Sequence, residues 1–368
     1  MITTLLFIIY TLIFILLFVF GVLIQQRKEN VIMNQTPCNV LNNISLLVPF
    51  RNEEHRIHTI LASLNPAKGL PKRIIFINDH SEDSSLDVIQ KSEIATQLTV
   101  INLPNGVEGK KQALRFAMEL YPSEYYLTMD ADVYFEPDYF IHLTTLPKVD
   151  LVILPVVLEA RNFSQRFFEL DVLLINAINQ GIAGFTKPIV ASGANLLFKS
   201  SVLKATDSIL EHQHISSGDD MFLLADFKRA NASIQLVTSM KYAVYTETPN
   251  SLQSFLKQRL RWISKTSSVK DGTANCVALF QGLFTTLFVV GISYELATSN
   301  WSNLSYLVFL KTVIDGLFIA PFFYKQGRLK TLLLLPFYEV LFPIYSIILL
   351  YLSFTRSIDW KDRKITKS

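Results

Sequence analysis

The sequence predicts an α/β domain joined to membrane-spanning helices, and two observations carry that expectation. The first is the distribution of charge. Of 368 residues, 50% are hydrophobic and 18% charged, where an ordinary soluble domain carries about 25% charged residues. Segments 2–24, 276–297, 304–324 and 331–354 together hold 90 residues and only four charged side chains, Glu295, Lys311, Asp315 and Glu339. The remaining 278 residues carry 61 charges, a share close to the ordinary one. A wholly soluble, disordered or disulfide-scaffold protein is thereby excluded. The second observation is rhythm: between the first two apolar segments, short apolar runs alternate with helical patterns, as βαβ units and a mostly parallel sheet require.

Segment 2–24 has no charge and as a helix rises about 35 Å, enough to cross a hydrocarbon core of roughly 30 Å. A signal peptide is the competing reading, but the segment lacks a basic n-region, has too long an apolar run and is followed by no Ala-x-Ala site, so an uncleaved anchor is expected. Gln25-Gln26-Arg27-Lys28 follows directly. A basic flank places the next domain on the cytoplasmic side.

Residues 25–275 suit one α/β domain. Strands are expected at Ile44–Pro49, Arg73–Asn78, Leu98–Leu103 and Tyr125–Met129, with helices over 53–65, 82–93 and 109–120. Another helix is expected over 221–230, and 251–266 reads as an amphipathic helix at the membrane interface. Segment 276–297 then leads out, and the loop around Trp301 has no Lys or Arg. Segment 304–324 returns to the basic loop 325–330, in line with the positive-inside rule. Pro336 and Pro343 divide 331–354, which either spans or is re-entrant. The side of the basic tail, 355–368, stays open.

In parallel sheets ligands bind at the carboxyl ends of the strands, and three strand ends here are acidic: Pro49-Phe50-Arg51-Asn52-Glu53-Glu54, Asn78-Asp79-His80-Ser81-Glu82-Asp83, and Asp130-Ala131-Asp132. Ser81 and Asp83 could simply cap helices. Capping rarely accounts for Asp-Ala-Asp. In extended chain, residues i and i+2 share a face, so Asp130 and Asp132 could both approach one hard cation, Mg2+ or Mn2+. Gly106 and Gly109 precede Lys110 and Lys111 at a helix start, a setting suited to phosphate. Asp219-Asp220 also opens a helix, where a carboxylate either favours the helix dipole or serves as a general base. On 251–266, Leu252, Phe255, Leu256, Leu260 and Ile263 form an apolar face, with Gln258, Arg261 and Trp262 clustered opposite at i, i+3 and i+4.

Other features carry less. Cys38 and Cys276 have no ligand spacing and fit a reducing compartment. A net charge of +3 with no Arg-rich stripe does not point to nucleic acid. Lys311 and Asp315, at i and i+4 in an apolar helix, are expected to pair with each other, with a place near an acceptor headgroup as the alternative.

Taken in order, Pro49–Glu54, Asn78-Asp79, Gly109-Lys110, Asp130-Ala131-Asp132, Gly193-Ala194-Asn195, Gly218-Asp219-Asp220 and Gln258-Arg259-Leu260-Arg261-Trp262 resemble the family 2 inverting glycosyltransferases. The membrane-bound branch has a D, DxD, D, QxxRW signature and includes cellulose, chitin and hyaluronan synthases and ceramide glucosyltransferases. The resemblance covers roughly residues 44–265. It implies a GT-A type nucleotide-sugar-binding fold, a nucleotide-diphosphate sugar donor and a divalent cation. By the same resemblance, Pro49, Arg51 and Glu53 would line the nucleotide pocket, Asp79 would contact base or ribose, and Lys110 would sit near the nucleotide. Asp130 and Asp132 would hold nucleotide and metal, and Asp220 would be the base. Gln258, Arg261 and Trp262 would frame acceptor and diphosphate. The chain has Asp219-Asp220 where the family usually has Glu-Asp, so either acid could be the base; the motif alignment prefers Asp220.

With one membrane helix before the domain and three after it, the resemblance implies transfer of one or a few sugars to a lipid or lipid-linked acceptor. A processive polysaccharide synthase is the runner-up. A non-catalytic subunit of a synthase complex would be expected to have lost signature acids, and a membrane nucleotidyl-transfer enzyme has no need of the QxxRW helix.

Overall fold

The structure, a computed structural model, describes residues 9–13, 15–33, 41–206, 219–268, 271–355, 358–360 and 363–365. Two compact units emerge, and neither is continuous in sequence: one comprises residues 27–159, 190–247 and 358–368, the other residues 1–26, 160–189 and 248–357.

The first unit is built on a seven-stranded sheet. Its strands are β1 (Ile44–Phe50), β2 (Arg73–Asn78), β3 (Leu98–Asn102), β4 (Tyr125–Thr128), β5 (Leu151–Ile153), β7 (Leu196–Lys199) and β8 (Ile234–Leu236), in the order β3-β2-β1-β4-β7-β5-β8. Only β7 runs antiparallel to its neighbours. A second, two-stranded parallel sheet pairs β6 (Val156–Glu159) with β9 (Val244–Glu247). β1 is buried along its whole length, which is why Ile-Ser-Leu-Leu-Val-Pro-Phe reads as a continuous run and not as an alternation. Ile44, Leu46, Val48, Ile74, Phe76, Leu127 and Met129 form the centre of the core against the helix Ile57–Leu64 and the segment around Tyr139 and Phe140.

The expected helix over 53–65 begins only at Ile57. Five of the six residues before it form bends and turns, with Asn52 in the left-handed region at φ 50°. Similarly, β4 stops at Thr128, and Ala131 and Asp132 lie in a turn. The extended geometry expected for the Asp-Ala-Asp stretch is therefore not what the chain adopts there.

Among its described residues the second unit contains four helices long and apolar enough to cross a membrane, Ile9–Val31 (as far as residue 26), Gly272–Ala297, Trp301–Lys325 and Leu329–Ser353. It also contains the long helix Phe163–Phe185 and the helix Leu252–Ser268. Pro343 lies inside the continuous helix Leu335–Thr355 and Pro336 in its first turn, where a missing N–H is harmless. The prolines do not interrupt this segment.

Two devices hold this unit together. Gly21 packs backbone to backbone against Gly181 and Gly184, and a Cβ on Gly181 would stand 2.7 Å from the Leu17 carbonyl oxygen. That is the small-residue crossing by which apolar helices approach closely. The expected pair of Lys311 and Asp315 forms, Nζ to Oδ2 at 2.7 Å, and Lys311 also meets Glu339. Tyr10 donates to the other Asp315 oxygen at 2.6 Å.

Candidate active site

The loops leaving β1 and β2 lock together. Asn52 N–H donates to Ser81 Oγ at 3.1 Å, Glu53 N–H to Ser85 Oγ at 2.7 Å and Glu54 N–H to Asp83 Oδ2 at 2.9 Å. Ser81 and Asp83 thus accept from backbone, and Asp83 Oδ1 also accepts from the Ser85 hydroxyl at 2.6 Å. They fix the loop that carries Arg51 and Glu53. Pro49 is tolerated in an interior strand because β1 has outrun β4, whose ladder ends at Leu47 and Thr128, so the missing N–H leaves no gap on that side.

Asp79, immediately after β2, is 3% exposed and accepts from Gly109 N–H at 3.0 Å. Burial raises the pKa of its carboxyl, opposed by the Gly109 N–H and the charge of Arg51. Gly109 has φ 93° and ψ 155°, a conformation open almost only to glycine. It starts the helix Lys110–Leu120 and turns the chain so that Lys110 Nζ reaches Asp130 Oδ1 at 2.6 Å. His80, itself at φ 55°, joins the same loop by donating a ring N–H to the Val107 carbonyl at 3.1 Å.

Asp130 and Asp132 follow β4. Arg56 bridges Asp132 Oδ2 at 2.8 Å and Glu53 Oε2 at 2.6 Å. Burial and then the charge of Asp130 push the Asp132 carboxyl up to about 6, against the pull of Arg56. The two aspartates therefore act on each other although the turn replaces the extended geometry. Burial alone would lower the pKa of Arg56; Asp132 and Glu53 reverse that, and it is raised.

Asp220 lies in the first turn of the helix Asp219–Arg229. Its Oδ2 accepts from Gly193 N–H at 3.3 Å and its Oδ1 from Met221 N–H at 2.8 Å. It shares a cavity with Lys111, Thr128, Phe222 and Asp226. Asn195, fully buried, donates to the Pro155 and Tyr242 carbonyls at 2.8 and 2.9 Å and accepts from Tyr139 at 2.5 Å. This holds the strand that follows Gly193. The side chain of Asp219 and residues Ser216, Ser217 and Gly218 lie outside the described residues.

The first unit thus brings together Glu53, Asp130, Asp132 and Lys110, with Asp79 tied to the same glycine loop. A model of the family described as glycosyl transferase family 2 matches residues 45–199. A second, glycosyl transferase family group 2, matches residues 125–355, more than half the chain.

The chain belongs to glycosyl transferase family group 2, with a family 2 match over residues 45–199.

No curated protein matches this family group 2 chain significantly by sequence. Among solved structures it is similar to the mannosyltransferase PcManGT from Pyrobaculum calidifontis in complex with GDP-Man and Mn2+, at 14% identity and a TM-score of 0.54, covering 90% of this chain and 97% of that one. This likeness supports the GT-A fold. Glucosyl-3-phosphoglycerate synthase from Mycobacterium tuberculosis, in complex with Mn2+, UDP and glucosyl-3-phosphoglycerate, matches at 18% identity and a TM-score of 0.40, over 63% of this chain and 82% of that one. S. aureus TarS, residues 1–349, matches at 14% identity and a TM-score of 0.40, over 89% and 97%.

One residue of this site escapes a reading by motif. Arg56 sits beyond the acidic strand end, and its only trace in sequence is a cation directly after Glu53-Glu54-His55. Lys111 is 6% exposed with its ammonium 4.4 Å from the Phe222 ring centroid. Adjacent lysines on a helix point about 100° apart, so one faces Asp130 and the other turns inward.

In the second unit, Gln258, Arg261 and Trp262 lie half-buried on the helix Leu252–Ser268. Phe255 and Leu260 pack inside the protein, whereas Leu252 and Ile263 are 60% and 41% exposed. The face read as apolar also holds Arg259, 4% exposed. A heptad-style count of apolar residues passes over that arginine.

Proposed function

We propose that the chain is a membrane-bound inverting glycosyltransferase that moves a hexosyl group from a nucleotide-diphosphate sugar to a lipid or lipid-linked acceptor. The observation that carries this is the pair Asp130 and Asp132 after β4, one facing Lys110 and the other Arg56, in a chain whose described residues include four helices of membrane-spanning length. Membership of family group 2 supports the use of a nucleotide sugar.

Asp130 and Asp132 would hold the divalent cation, Mg2+ or Mn2+. Both are hard oxygen donors; burial first, and then the charge of Asp130, drives the Asp132 carboxyl up to about 6, and a divalent cation would offset the second of these. When bound, the cation neutralises charge building on the diphosphate leaving group. Pro49, Arg51 and Glu53 would line the nucleotide pocket, Asp79 would meet base or ribose, and Lys110 would turn to phosphate. Asp220, or failing it Asp219, would take the proton of the acceptor hydroxyl as its oxygen attacks the anomeric carbon and the bond to the diphosphate breaks. Gln258, Arg261 and Trp262 would frame acceptor and diphosphate, the D, DxD, D, QxxRW arrangement of the membrane-bound branch. In this reading residues 25–275 are the catalytic region on the cytoplasmic face, between the anchor 1–24 and the membrane segments 276–354, with 355–368 as a basic tail.

A donor screen on purified full-length protein, with Mn2+ or Mg2+ and a membrane lipid extract, reads released nucleotide and labelled product together. Asp132→Asn and Asp220→Asn variants that insert normally should lose transfer by about 100-fold or more. Wild-type rates in both would sink the assignment, and a labelled nucleotide in the product would redirect it to nucleotidyl transfer.

A further inference from the structure

Arg259 stands inside the Gln258–Trp262 stretch, yet the transfer chemistry leaves it without a role. It is 4% exposed and pairs with Asp171 of the helix Phe163–Phe185, itself 2% exposed. The same carboxylate accepts from two tyrosines of the last membrane helix, Tyr338 at 2.6 Å and Tyr345. The faces of the guanidinium are covered by rings of its own helix: Phe255 at 5.1 Å and Trp262 at 4.4 Å from its central carbon. Phe255 is in turn stacked on Phe168 at 4.3 Å.

A buried guanidinium requires a paired carboxylate, and a planar one can also serve as a stacking surface for an indole. Here both conditions are met by one residue. Charge pairing fixes the plane of Arg259, and that plane fixes the Trp262 ring, one turn further along.

We propose that Asp171 and Arg259 are positioning residues that orient the Trp262 indole for the acceptor, with Tyr338 and Tyr345 tying that orientation to the last membrane helix. The proposal rests on the reading that Trp262 frames the acceptor. Ion pairing alone would be served equally by lysine, whereas stacking would not, so Arg259→Lys separates the two roles.

The test uses the full-length chain with Trp301→Phe and Trp360→Phe, leaving Trp262 as the single emitter. Arg259→Lys and Asp171→Asn should each raise the acceptor KM about five- to tenfold, the range for losing a desolvated cation–π contact, leave the donor KM unchanged within error, and move Trp262 emission to longer wavelength. Tyr345→Phe, which removes one donor to Asp171, should move both readouts less and in the same direction. Glu169→Gln is the control for structural damage. Glu169, buried on the same helix as Asp171, pairs with Arg166 of that helix and with Arg328 beyond it, and its loss should lower the unfolding midpoint without moving either readout. An Arg259→Lys protein with wild-type emission and acceptor KM overturns the proposal, as does a Glu169→Gln protein that reproduces the Arg259→Lys shift. Trp262→Ala with a wild-type acceptor KM would instead remove the acceptor reading of this helix, while the emission shift still reports whether Asp171 and Arg259 set the indole.

Discussion

Asp132→Asn should make the metal-free catalytic unit more stable at neutral pH while abolishing transfer. The carboxyl titrates near 6 in the folded protein, pushed up by burial and by Asp130, against about 3.9 in an unfolded chain. Between those values the folded state keeps a proton that the unfolded state has released. Its contribution is therefore fully present below about pH 4 and is lost as pH rises through 6, at about 1.4 kcal/mol per unit, or roughly 3 kcal/mol in all. Asparagine does not ionise and escapes that loss. It weakens the bond from Arg56, now 2.8 Å long, by about 1 kcal/mol. The net gain at pH 7.5 is then about 1–2 kcal/mol, a rise of several degrees in Tm for a unit of this size. Thermal unfolding with EDTA at pH 7.5 and pH 4.5 reads it: the variant's advantage should appear at pH 7.5 and shrink or reverse at pH 4.5. Mn2+ should then raise the Tm of wild type only. A variant less stable than wild type by the same amount at both pH values would refute the reasoning.

Further outcomes follow from particular backbone and packing features. Gly109→Ala forces a side chain into φ 93° and ψ 155°, which costs about 1–3 kcal/mol, and it should weaken nucleotide binding by displacing Lys110, measured by titration calorimetry. Asn195→Ala leaves Tyr139, Pro155 and Tyr242 without their buried partner; a loss of about 2–5 kcal/mol is expected in denaturant unfolding. Gly184→Val drives a side chain into the Gly21 carbonyl and should release the N-terminal helix, read as faster proteolysis between residues 24 and 41 with Gly316→Val, which has room at 3.6 Å, as the control.

The strands that support the site were readable because each is a buried apolar run closed by polar residues; Arg73–Asn78 has the bounds its pattern suggests. The acidic strand ends were readable for the same reason, since an acid after such a run is costly unless it has work there. What the pattern could not show was the path of the chain beyond the strand. Asp-Ala-Asp turns because Ala131 and Val133, 4% and 0% exposed, are drawn into the core. Nor could it show residues whose meaning depends on a partner distant in sequence. Asp171 lies amid Leu and Phe, and nothing local indicates that Arg259, Tyr338 and Tyr345 converge on it. The helix Phe163–Phe185 falls between β6 and β7 in sequence but belongs to the unit that holds the apolar helices of membrane-spanning length, so contiguity misleads there.

The charges of the site suggest how donor and metal share it. Glu53, Asp130 and Asp132 bring three negative charges, and Arg56 and Lys110 return two. Among these five groups one negative charge is left over, and the charge of Asp130 adds to burial, the larger cause, in raising the pKa of Asp132. A divalent cation entering alone must compete with an ammonium and a guanidinium already at hydrogen-bonding distance from the same carboxylates. A cation entering with a diphosphate faces less competition, because the phosphate oxygens offer Lys110 and Arg56 new partners as the carboxylates pass to the metal. Lys110 and Arg56 would thus be counter-ions that the proposed donor reassigns. On the proposed assignment, metal and nucleotide bind together in preference to metal first, and Arg56, which no signature names, would take part in that exchange.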